Sequence, residues 1–594
     1  MKPTRYILIS AIAATAACQA HAQSLSQEID VQHNVVVEHH DATRLTLTPR
    51  VTLDALKLKP LAFSERTVNI ALDPTASFLE PTAYADTLAT SPYDGYASIG
   101  YFPVYNLKAS AGYRILNNGH SRLSAWMQFD GHSYNDDITL SPADNTPFDA
   151  TIKRNTITAG LCYHLLLGRK SQLDMGLDYT FDRFNTPGSA SPIGATAAYS
   201  LGNQSVNRIN LNTMWMSSIG GLSYTVGADY HYFGYRRGAI APQWLASPAP
   251  LDGHSELVVR PNRENRFNIH ASGSLPVSET SQIGLLAAID VINNTHHGWL
   301  NPSSSAPAGY LLGVSGGSYN HALITLRPRY KFRNNNFRAV IGARLDVTIK
   351  SGKAIHIAPD INVSWSPAAQ FSIWAKALGG EHQNTLASLF DVNYMTAPML
   401  SYRNSHIPVT IDAGIVVGPF KGAFIELFGG YAIANDWLMP IAMTTTAYGA
   451  SAFAPVDIKG WHAGVALGYR HRYFDIKASA EGTPQKHNRG YYMWRDRAKW
   501  VTSASLTIKP IKPLNVEVSY SMRASRAIID DNTDAHTRFN LGNSSMLNVN
   551  ASYRVTPHLT VDASVENILN RRNLNLGFVP VQGITGLVGI SYKF

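Results

Sequence analysis

Four basic side chains recur at every second position of one short segment, which is the spacing of residues on a single face of a β-strand. The alternating cations are Arg327, Arg329, Lys331 and Arg333, and Arg338 and Arg344 follow in the next segment with the same alternation. Guanidinium groups bind carboxylates and phosphates through paired hydrogen bonds. We therefore treat Arg327, Arg329, Lys331, Arg338 and Arg344 as candidate contacts for an anionic solute inside a channel.

The same cations have a second interpretation, which the sequence favours. Asp346 and Asp360 lie within or just after this basic stretch. If all these side chains face one interior, the carboxylates are available as ion-pair partners for the arginines. The basic set would then stabilise the wall and bind no solute.

Aromatic and charged residues are mixed in a second segment. Tyr491, Tyr492 and Trp494 precede Arg495, and Trp500 follows. Aromatic rings beside charge can stack on a sugar or another flat ligand, so Tyr491, Tyr492, Trp494 and Arg495 are candidate loop contacts. The alternative, which we favour, is a Tyr/Trp girdle at a membrane interface.

Signatures of catalysis or metal binding are weak in this chain. His39–His40 and His296–His297 are adjacent pairs, and neighbours on a strand point to opposite faces, which is poor chelating geometry. The sequence has no H-E-x-x-H motif and no Walker loop. We predict no catalytic residues, no cofactor, no metal site and no enzyme activity, although a catalytic set assembled from separate loops stays open.

The elements that carry these residues are short alternating segments. In the stretch 585–594, Val588, Ile590, Tyr592 and Phe594 share one face, and small or polar residues share the other. The same alternation recurs in 514–522, 547–554 and 559–566. A charge facing lipid costs roughly 2–4 kcal/mol at the bilayer midplane, so the charged faces must point to a lumen. The pattern predicts an all-β fold, a transmembrane antiparallel β-barrel.

We count about 22 such segments between Gly95 and Phe594. Short connections, such as 117–120 and 418–422, alternate with long ones, such as 236–263 and 294–319. Short periplasmic turns and long extracellular loops are typical of outer-membrane barrels. In segment 355–365, Pro359 cannot donate a ladder hydrogen bond, so we expect a bulge there.

Targeting features and charge agree with an outer-membrane location. Lys2 and Arg5 precede a short apolar run, and Ala20-His-Ala22 provides a cleavage site, so residues 1–22 form a signal peptide. A lipoprotein signal ending at Cys18 is the alternative. The net charge of +9 comes without a basic tail or helix. It favours contact with outer-membrane lipid and anionic lipopolysaccharide and gives no indication of nucleic-acid binding.

The closing segments resemble those of TonB-dependent receptors. Members of that family often carry an Asn-Leu-containing motif in the next-to-last strand and a Gly-rich last strand that ends in Phe; here Asn567-Ile-Leu-Asn570 and Gly583–Phe594 occupy those places. The resemblance covers residues 95–594 and is greatest to the short Bacteroidetes type. It implies a large uptake barrel and a periplasmic energy-coupling or plug partner.

The resemblance is incomplete at the N-terminal side. Residues 23–94 are too few for the family's plug domain, so we expect no complete plug and a periplasmic or lumenal segment there. Val35-Val-Val37 resembles an energy-coupling box, but an ordinary short β segment explains it better. The lumen would then be filled by inward-folded loops, by the 23–94 segment or by a separate protein.

Two functions follow from these expectations. The first is a TonB-dependent-receptor-like outer-membrane protein that binds an unknown small solute at its surface or takes it up through the barrel. The second is a non-transporting scaffold or assembly barrel that binds a partner protein.

Overall fold

The computed structural model describes residues 92–103, 105–138, 147–168, 170–186, 202–242, 256–259, 261–296, 317–350, 354–398, 402–442, 451–483, 485–487, 498–530, 538–574 and 579–594. The first strands are β1 Gly95–Phe102, β2 Asn106–Asn117, β3 Ser121–Ile138, β4 Phe148–Leu166, β5 Ser171–Asn185, β6 Asn203–Ile219, β7 Leu222–Tyr235, β8 Ala239–Pro242 and β9 Glu256–Val259. Then come β10 Arg263–Ser278, β11 Ser281–His296, β12 Gly317–Arg333, β13 Phe337–Ile349, β14 Ile355–Ala368, β15 Phe371–His382, helix α1 Leu386–Val392, β16 Ser405–Phe420 and β17 Ala423–Ala442. The last are β18 Ser451–Arg470, β19 Phe474–Gly482, β20 Gln485–His487, β21 Trp500–Ile511, β22 Leu514–Asp530, β23 Arg538–Arg554, β24 Leu559–Glu566 and β25 Thr585–Lys593.

The long strands form one closed antiparallel barrel. Within the described residues the sheet has 23 strands, and the short β20 continues the line of β19 along β18, so 22 strands make up the wall. β8 and β9 form a separate hairpin. The barrel closes where β1 pairs with β25, from Tyr96 opposite Lys593 to Tyr101 opposite Val588. The predicted all-β barrel of about 22 strands is confirmed.

The alternation of side chains sets the two faces of the wall. On β5, Asp174 and Asp182 are each 1 % exposed, whereas the intervening Leu177 and Tyr179 are 39 % and 42 % exposed. On β25, Val588, Ile590 and Tyr592 are all at least half exposed. The apolar residues thus face outward and the carboxylates face the lumen, as membrane barrels require.

Connection lengths also follow the prediction. When the 22 wall strands are counted around the barrel, without β8, β9 and β20, every connection from an even-numbered strand to the next odd-numbered strand is short. For example, β2 and β3 are joined by 118–120, and β16 and β17 by 421–422. The long connections lie at the other rim, which is the extracellular rim in this class of barrel.

The prediction of a bulge at Pro359 is wrong. The register between β13 and β14 runs unbroken through Ala343 opposite Pro359. The ladder between β14 and β15 begins only at Asp360 opposite Leu378. Proline has no N–H to donate to β15, which accounts for the end of this ladder at Asp360.

The part of the chain described above, from residue 92 onward, contains no plug domain. Among those same residues, no helix has both the length and the apolar character to cross a bilayer. The predicted signal peptide and the 23–91 part of the N-terminal segment lie outside the described residues, so those domain boundaries stay predictions.

Candidate functional site

One long extracellular connection folds into the lumen and forms the candidate site. This inner loop, residues 383–404, of which 383–398 and 402–404 are described, joins β15 to β16 and carries helix α1. The helix begins where Thr385 and Ser388 form a capping box: the Ser388 N–H donates to Thr385 Oγ1 at 2.9 Å, and the Thr385 N–H donates to Ser388 Oγ at 2.9 Å. Reciprocal capping satisfies two N–H groups that have no partner within the helix. The cap lets a helix of one or two turns form inside a loop.

Phe390 of α1 packs against wall strands far from the loop's own root. β15 is the thirteenth wall strand, yet the Phe390 ring lies 5.7 Å from Phe184 on β5, 5.5 Å from Phe233 and 6.1 Å from Tyr235 on β7, between ring centroids. These partners are lumen-facing and nearly fully buried. The helix therefore reaches across the interior of the barrel.

Two guanidinium groups cover the same ring. The Arg208 carbon Cζ lies 4.6 Å, and that of Arg154 5.9 Å, from the Phe390 centroid. Arg154 also lies 4.5 Å from the Tyr394 ring and forms an ion pair with Asp182 at 2.5 Å. Cation–π contacts are worth about 0.5–2 kcal/mol, more where water is excluded, so these arginines stabilise the inward position of the loop.

Polar contacts tie the inner loop to β6, β7 and β10. Asp391 Oδ1 lies 2.7 Å from Arg208 Nη1, and the Tyr235 hydroxyl donates to the Thr396 carbonyl at 3.0 Å. The Glu264 carboxylate on β10 accepts hydrogen bonds from the Leu386 N–H at 2.8 Å and from the Tyr402 hydroxyl. Its side chain caps the helix N-terminus, where a carboxylate is favoured.

A second connection contributes to the same core. Val579, in the 567–584 connection, is fully buried, and the Tyr134 hydroxyl on β3 donates to the Pro580 carbonyl at 2.8 Å. Together the loops and walls form an apolar cluster whose members include Ile138, Ile152, Val206, Leu389, Met395, Met439, Phe453 and Ile458. Of the three arrangements considered for filling the lumen, inward-folded loops are therefore present.

The basic segment lies on the lumen face, as predicted, and its best-buried arginines are ion-paired. Arg327 Nε and Arg329 Nε lie 3.1 and 2.5 Å from Asp360 Oδ2. Arg344 Nε lies 2.8 Å from Asp346 Oδ2. Both carboxylate partners named from the sequence are thus in place, and the geometry supports the stabilising role.

Two other members of that set, Lys331 and Arg338, are half-buried on the same face of β12 and β13. A role for the five cations in solute contact stays a prediction.

Other sequence candidates lie outside the described residues. Tyr491, Tyr492, Trp494 and Arg495 fall in 488–497, and His39–His40 falls in 1–91. Sequence reasoning expected no G-x-S-x-G motif and missed residues 313–317, Gly-Val-Ser-Gly-Gly, which have that spacing of a hydrolase nucleophile elbow. That motif works at a strand-to-helix turn, whereas here Gly317 begins barrel strand β12.

Sequence reasoning missed one cluster of possible metal ligands. His356 on β14, Glu381 on β15 and His406 on β16 place one ligand atom each within 4.8 Å of one another. The residues are about 25 positions apart in sequence and no short motif joins them. The available signal was their position, since each lies at the extracellular end of its strand and the last two flank the inner loop.

Structural comparison finds the same architecture in solved transporters and receptors. The FrpB iron transporter from Neisseria meningitidis aligns at a TM-score of 0.60 and 11 % identity, covering 86 % of this chain and 82 % of that one. The ferric enterobactin receptor PfeA from Pseudomonas aeruginosa gives 0.61 and 10 %, with 85 % and 82 % covered. The copper transporter OprC gives 0.58 and 12 %, with 84 % and 80 % covered.

No family model and no curated protein matches the sequence. At 10–12 % identity, the structural likeness establishes the fold. The three compared proteins are named as transporters or receptors. That this chain is not an enzyme stays a prediction. A closed 22-strand barrel with an apolar outer face and a charged lumen is a protein of the bacterial outer membrane. The chain is an outer-membrane β-barrel with the fold of these solved transporters and receptors.

Proposed function

We propose that this protein takes up a small solute through the barrel, and that the inner loop controls the passage. The observation that carries the proposal is the way the loop is held. It lies across the extracellular end of the lumen and contacts the far wall through one partly exposed ion pair, a few hydrogen bonds and one aromatic cluster. Such contacts can be broken and remade without unfolding the wall.

The lumen wall supports passage of a polar solute. Ion pairs line it on several strands, namely Arg154–Asp182, Arg266–Asp290 and Arg327–Asp360, and His462 lies within hydrogen-bond distance of Glu481. A charged, hydrogen-bonding wall suits a hydrophilic solute. Because the compared structures are named for iron, ferric enterobactin and copper, metal ions and metal chelates are the first solutes to test.

Moving the inner loop against its contacts requires energy or a ligand. Breaking a buried aromatic cluster costs several kcal/mol. A periplasmic energy-coupling protein, which the family resemblance implies, would supply that work. Solute bound at the outer loops is the other source, since a ligand shifts a two-state equilibrium by its differential affinity for the two states.

The outer rim has a feature suited to lipopolysaccharide. Arg183, Arg236 and Arg237 are exposed and line one cleft beside Phe181. Arg183 alternates with the lumen-facing Asp182 and Phe184, so it points to the lipid side of β5. Clustered guanidinium groups at this height match the phosphates of an anionic outer leaflet.

The second function, a non-transporting scaffold, is favoured by the same closed lumen. A barrel packed shut by its own loops can serve as a rigid platform for a partner protein. The two functions differ in whether the inner loop moves, because a scaffold needs it fixed and a transporter needs it displaced.

Single-channel conductance of the purified chain in planar bilayers separates the two. We expect low conductance for the wild type and a severalfold higher conductance when residues 386–397 are replaced by a Gly-Ser linker of equal length. A matched variant, Asp475→Ala, breaks the exposed Arg470–Asp475 pair near a short turn and should leave conductance unchanged.

Uptake provides the functional readout. In cells that depend on the protein for a labelled metal chelate, cross-linking the inner loop to the wall should abolish uptake. Unchanged conductance in the linker variant, together with uptake that is insensitive to cross-linking, would favour the scaffold.

A further inference from the structure

Three side chains at the root of the inner loop converge on one point. Nε2 of His356 lies 3.4 Å from Oε2 of Glu381, and Nδ1 of His406 lies 3.5 Å from the same oxygen. The two imidazole rings are 3.9 Å apart between centroids. Among the described residues, this is the one group of three or more His, Cys, Asp or Glu side chains arranged to hold a metal ion.

The spacing distinguishes this cluster from hydrogen-bonded histidines in the same barrel. His462 lies 2.7 Å from Asp412 and 2.9 Å from Glu481, the range of ordinary N–H···O bonds. The distances from Glu381 to its two histidines are longer than that range. Ligands held about 2.0–2.2 Å from a tetrahedral ion lie roughly 3.3–3.6 Å from one another, so these two distances match two edges of a coordination tetrahedron.

Burial makes the cluster unlike a surface patch. The His356 and Glu381 side chains are 3 % and 2 % exposed, and that of His406 is 21 % exposed. A buried carboxylate is costly unless a positive charge compensates it, and a bound dication does so while leaving both imidazoles neutral. The opening beside His406 leaves a fourth position for water or another ligand.

The donor types select the metal. Two imidazoles and one carboxylate suit Zn²⁺, Cu²⁺, Ni²⁺ or Fe²⁺, whereas Ca²⁺ and Mg²⁺ prefer oxygen ligands alone. We propose that His356, Glu381 and His406 bind one divalent transition-metal ion, with Zn²⁺ as the simplest occupant.

Backbone features position the three ligands. Pro359 prevents β15 from pairing with the end of β14, which leaves space between His356 and Glu381 for side chains. Gly380 has φ of +129°, and the register shifts there so that Glu381 lies directly opposite His406.

Outer contacts hold the carboxylate ligand in place. The Glu381 N–H donates to Asp346 Oδ2 at 2.7 Å, and Arg344 Nη2 donates to the Glu381 carbonyl at 2.9 Å. Supporting contacts of this kind orient metal ligands. The arginine first considered as a solute contact is thus a positioning residue for this site.

The site would clamp both ends of the inner loop. Glu381 lies two residues before position 383, and His406 two residues after position 404, so one ion joins the strand that enters the loop to the strand that leaves it. His356 anchors the pair to β14. The proposal concerns a resident ion and goes beyond the solute uptake proposed above; metal binding by the purified barrel can be present or absent whatever the barrel transports.

The test uses the full chain purified in detergent, stripped with a chelator and dialysed against limiting Zn²⁺. We expect about one tightly bound Zn²⁺ per chain by elemental analysis. Removal of one ligand, in Glu381→Gln or His406→Ala, should weaken zinc binding by at least about 100-fold, beyond what loss of a supporting contact costs. His132→Asn, at another buried lumen histidine, should keep wild-type binding.

A second measurement separates coordination from a purely structural ion pair. Zinc should raise the temperature at which the folded barrel unfolds, seen by its heat-dependent mobility in gel electrophoresis, and this rise should vanish in Glu381→Gln and His406→Ala. With Cu²⁺ as probe, electron paramagnetic resonance should show two nitrogen ligands in the wild type and one in His406→Ala.

Equal zinc stoichiometry in wild type and ligand variants would overturn the proposal. The proposal would also be overturned if Glu381→Gln and His406→Ala lowered the unfolding temperature by the same amount with and without zinc. That result is expected if the three residues form only a histidine–carboxylate ion pair.

Discussion

Asp391 of the inner loop meets Arg208 of the far wall with 2.7 Å between Oδ1 and Nη1. The two residues are 183 positions apart in the chain, one on the loop between β15 and β16 and the other on β6. Arg208 also stacks on Phe390, one residue before Asp391. A single side chain on β6 therefore holds both the charged and the aromatic part of the loop.

Reversing the charge at Asp391 should favour the open loop. In Asp391→Arg, the new cation faces Arg208, and loss of an ion pair of about 1 kcal/mol shifts a two-state balance roughly fivefold. We expect more frequent opening events in single-channel records. Asp391→Glu keeps the charge and should behave as wild type; if both variants open equally, the pair does not hold the loop.

Asp360 should matter for stability more than for solute binding. Asp360→Asn removes the carboxylate shared by the buried Arg327 and Arg329, and breaking a buried ion pair costs roughly 3–5 kcal/mol. Urea unfolding in detergent micelles, followed by tryptophan fluorescence, measures that loss. The exposed Arg470–Asp475 pair provides the control. Asp475→Asn should lower the free energy of unfolding by about 1 kcal/mol or less.

The opposite result at Asp360 would restore the solute-contact interpretation. If Asp360→Asn leaves the free energy of unfolding unchanged and increases the affinity for anionic solutes, the two arginines are ligand contacts restrained by the aspartate.

Adjacent positions on β4 test the assignment of the two faces. Ile157 lies midway along the strand and is 40 % exposed on the outer face. Thr158 faces the lumen, where its hydroxyl lies 3.1 Å from that of Thr180. In lipid vesicles, Ile157→Lys should cost about 2–4 kcal/mol of folding free energy and Thr158→Lys much less. Equal costs would contradict a lipid-facing exterior.

Gly380 should be required for zinc binding but not for the barrel. Its φ of +129° suits glycine, and an added Cβ would lie 2.5 Å from Arg344 Nε and 2.7 Å from Asp346 Oδ2. Gly380→Ala should therefore displace Glu381 and weaken zinc binding about 10-fold or more. Gly273→Ala is the matched control, because its Cβ would meet nothing closer than 3.8 Å. Wild-type zinc affinity in Gly380→Ala would show that the backbone there does not position the ligand.

The wall could be predicted from sequence because its signal is local. Each strand repeats one alternation, and the cost of a charge in lipid decides which face is which. Asp174, Asp178 and Asp182 identify the lumen face of β5 without knowledge of any other strand. The partners of the arginines, Asp346 and Asp360, were predictable for the same reason, since the alternation places both carboxylates on the lumen face of neighbouring strands.

The inner loop could not be predicted because its partners are distant. Leu386, Leu389 and Phe390 give a short apolar pattern that fits a helix or a loop equally well. Only contact with Phe184 and Phe233, about 150–200 residues earlier, fixes its inward position. The same holds for His356, Glu381 and His406, whose meeting depends on a missing ladder beside Pro359.

The seam between β1 and β25 has a consequence for biogenesis. Phe594 directly follows β25, and its carbonyl accepts hydrogen bonds from the N–H groups of Asp94 and Gly95 at 2.8 and 3.0 Å. Until β25 arrives, the growing sheet has two open edges, each able to pair with a second molecule. Ring closure must therefore wait for export of β25, and a chain that lacks this strand would be left prone to aggregate in the periplasm.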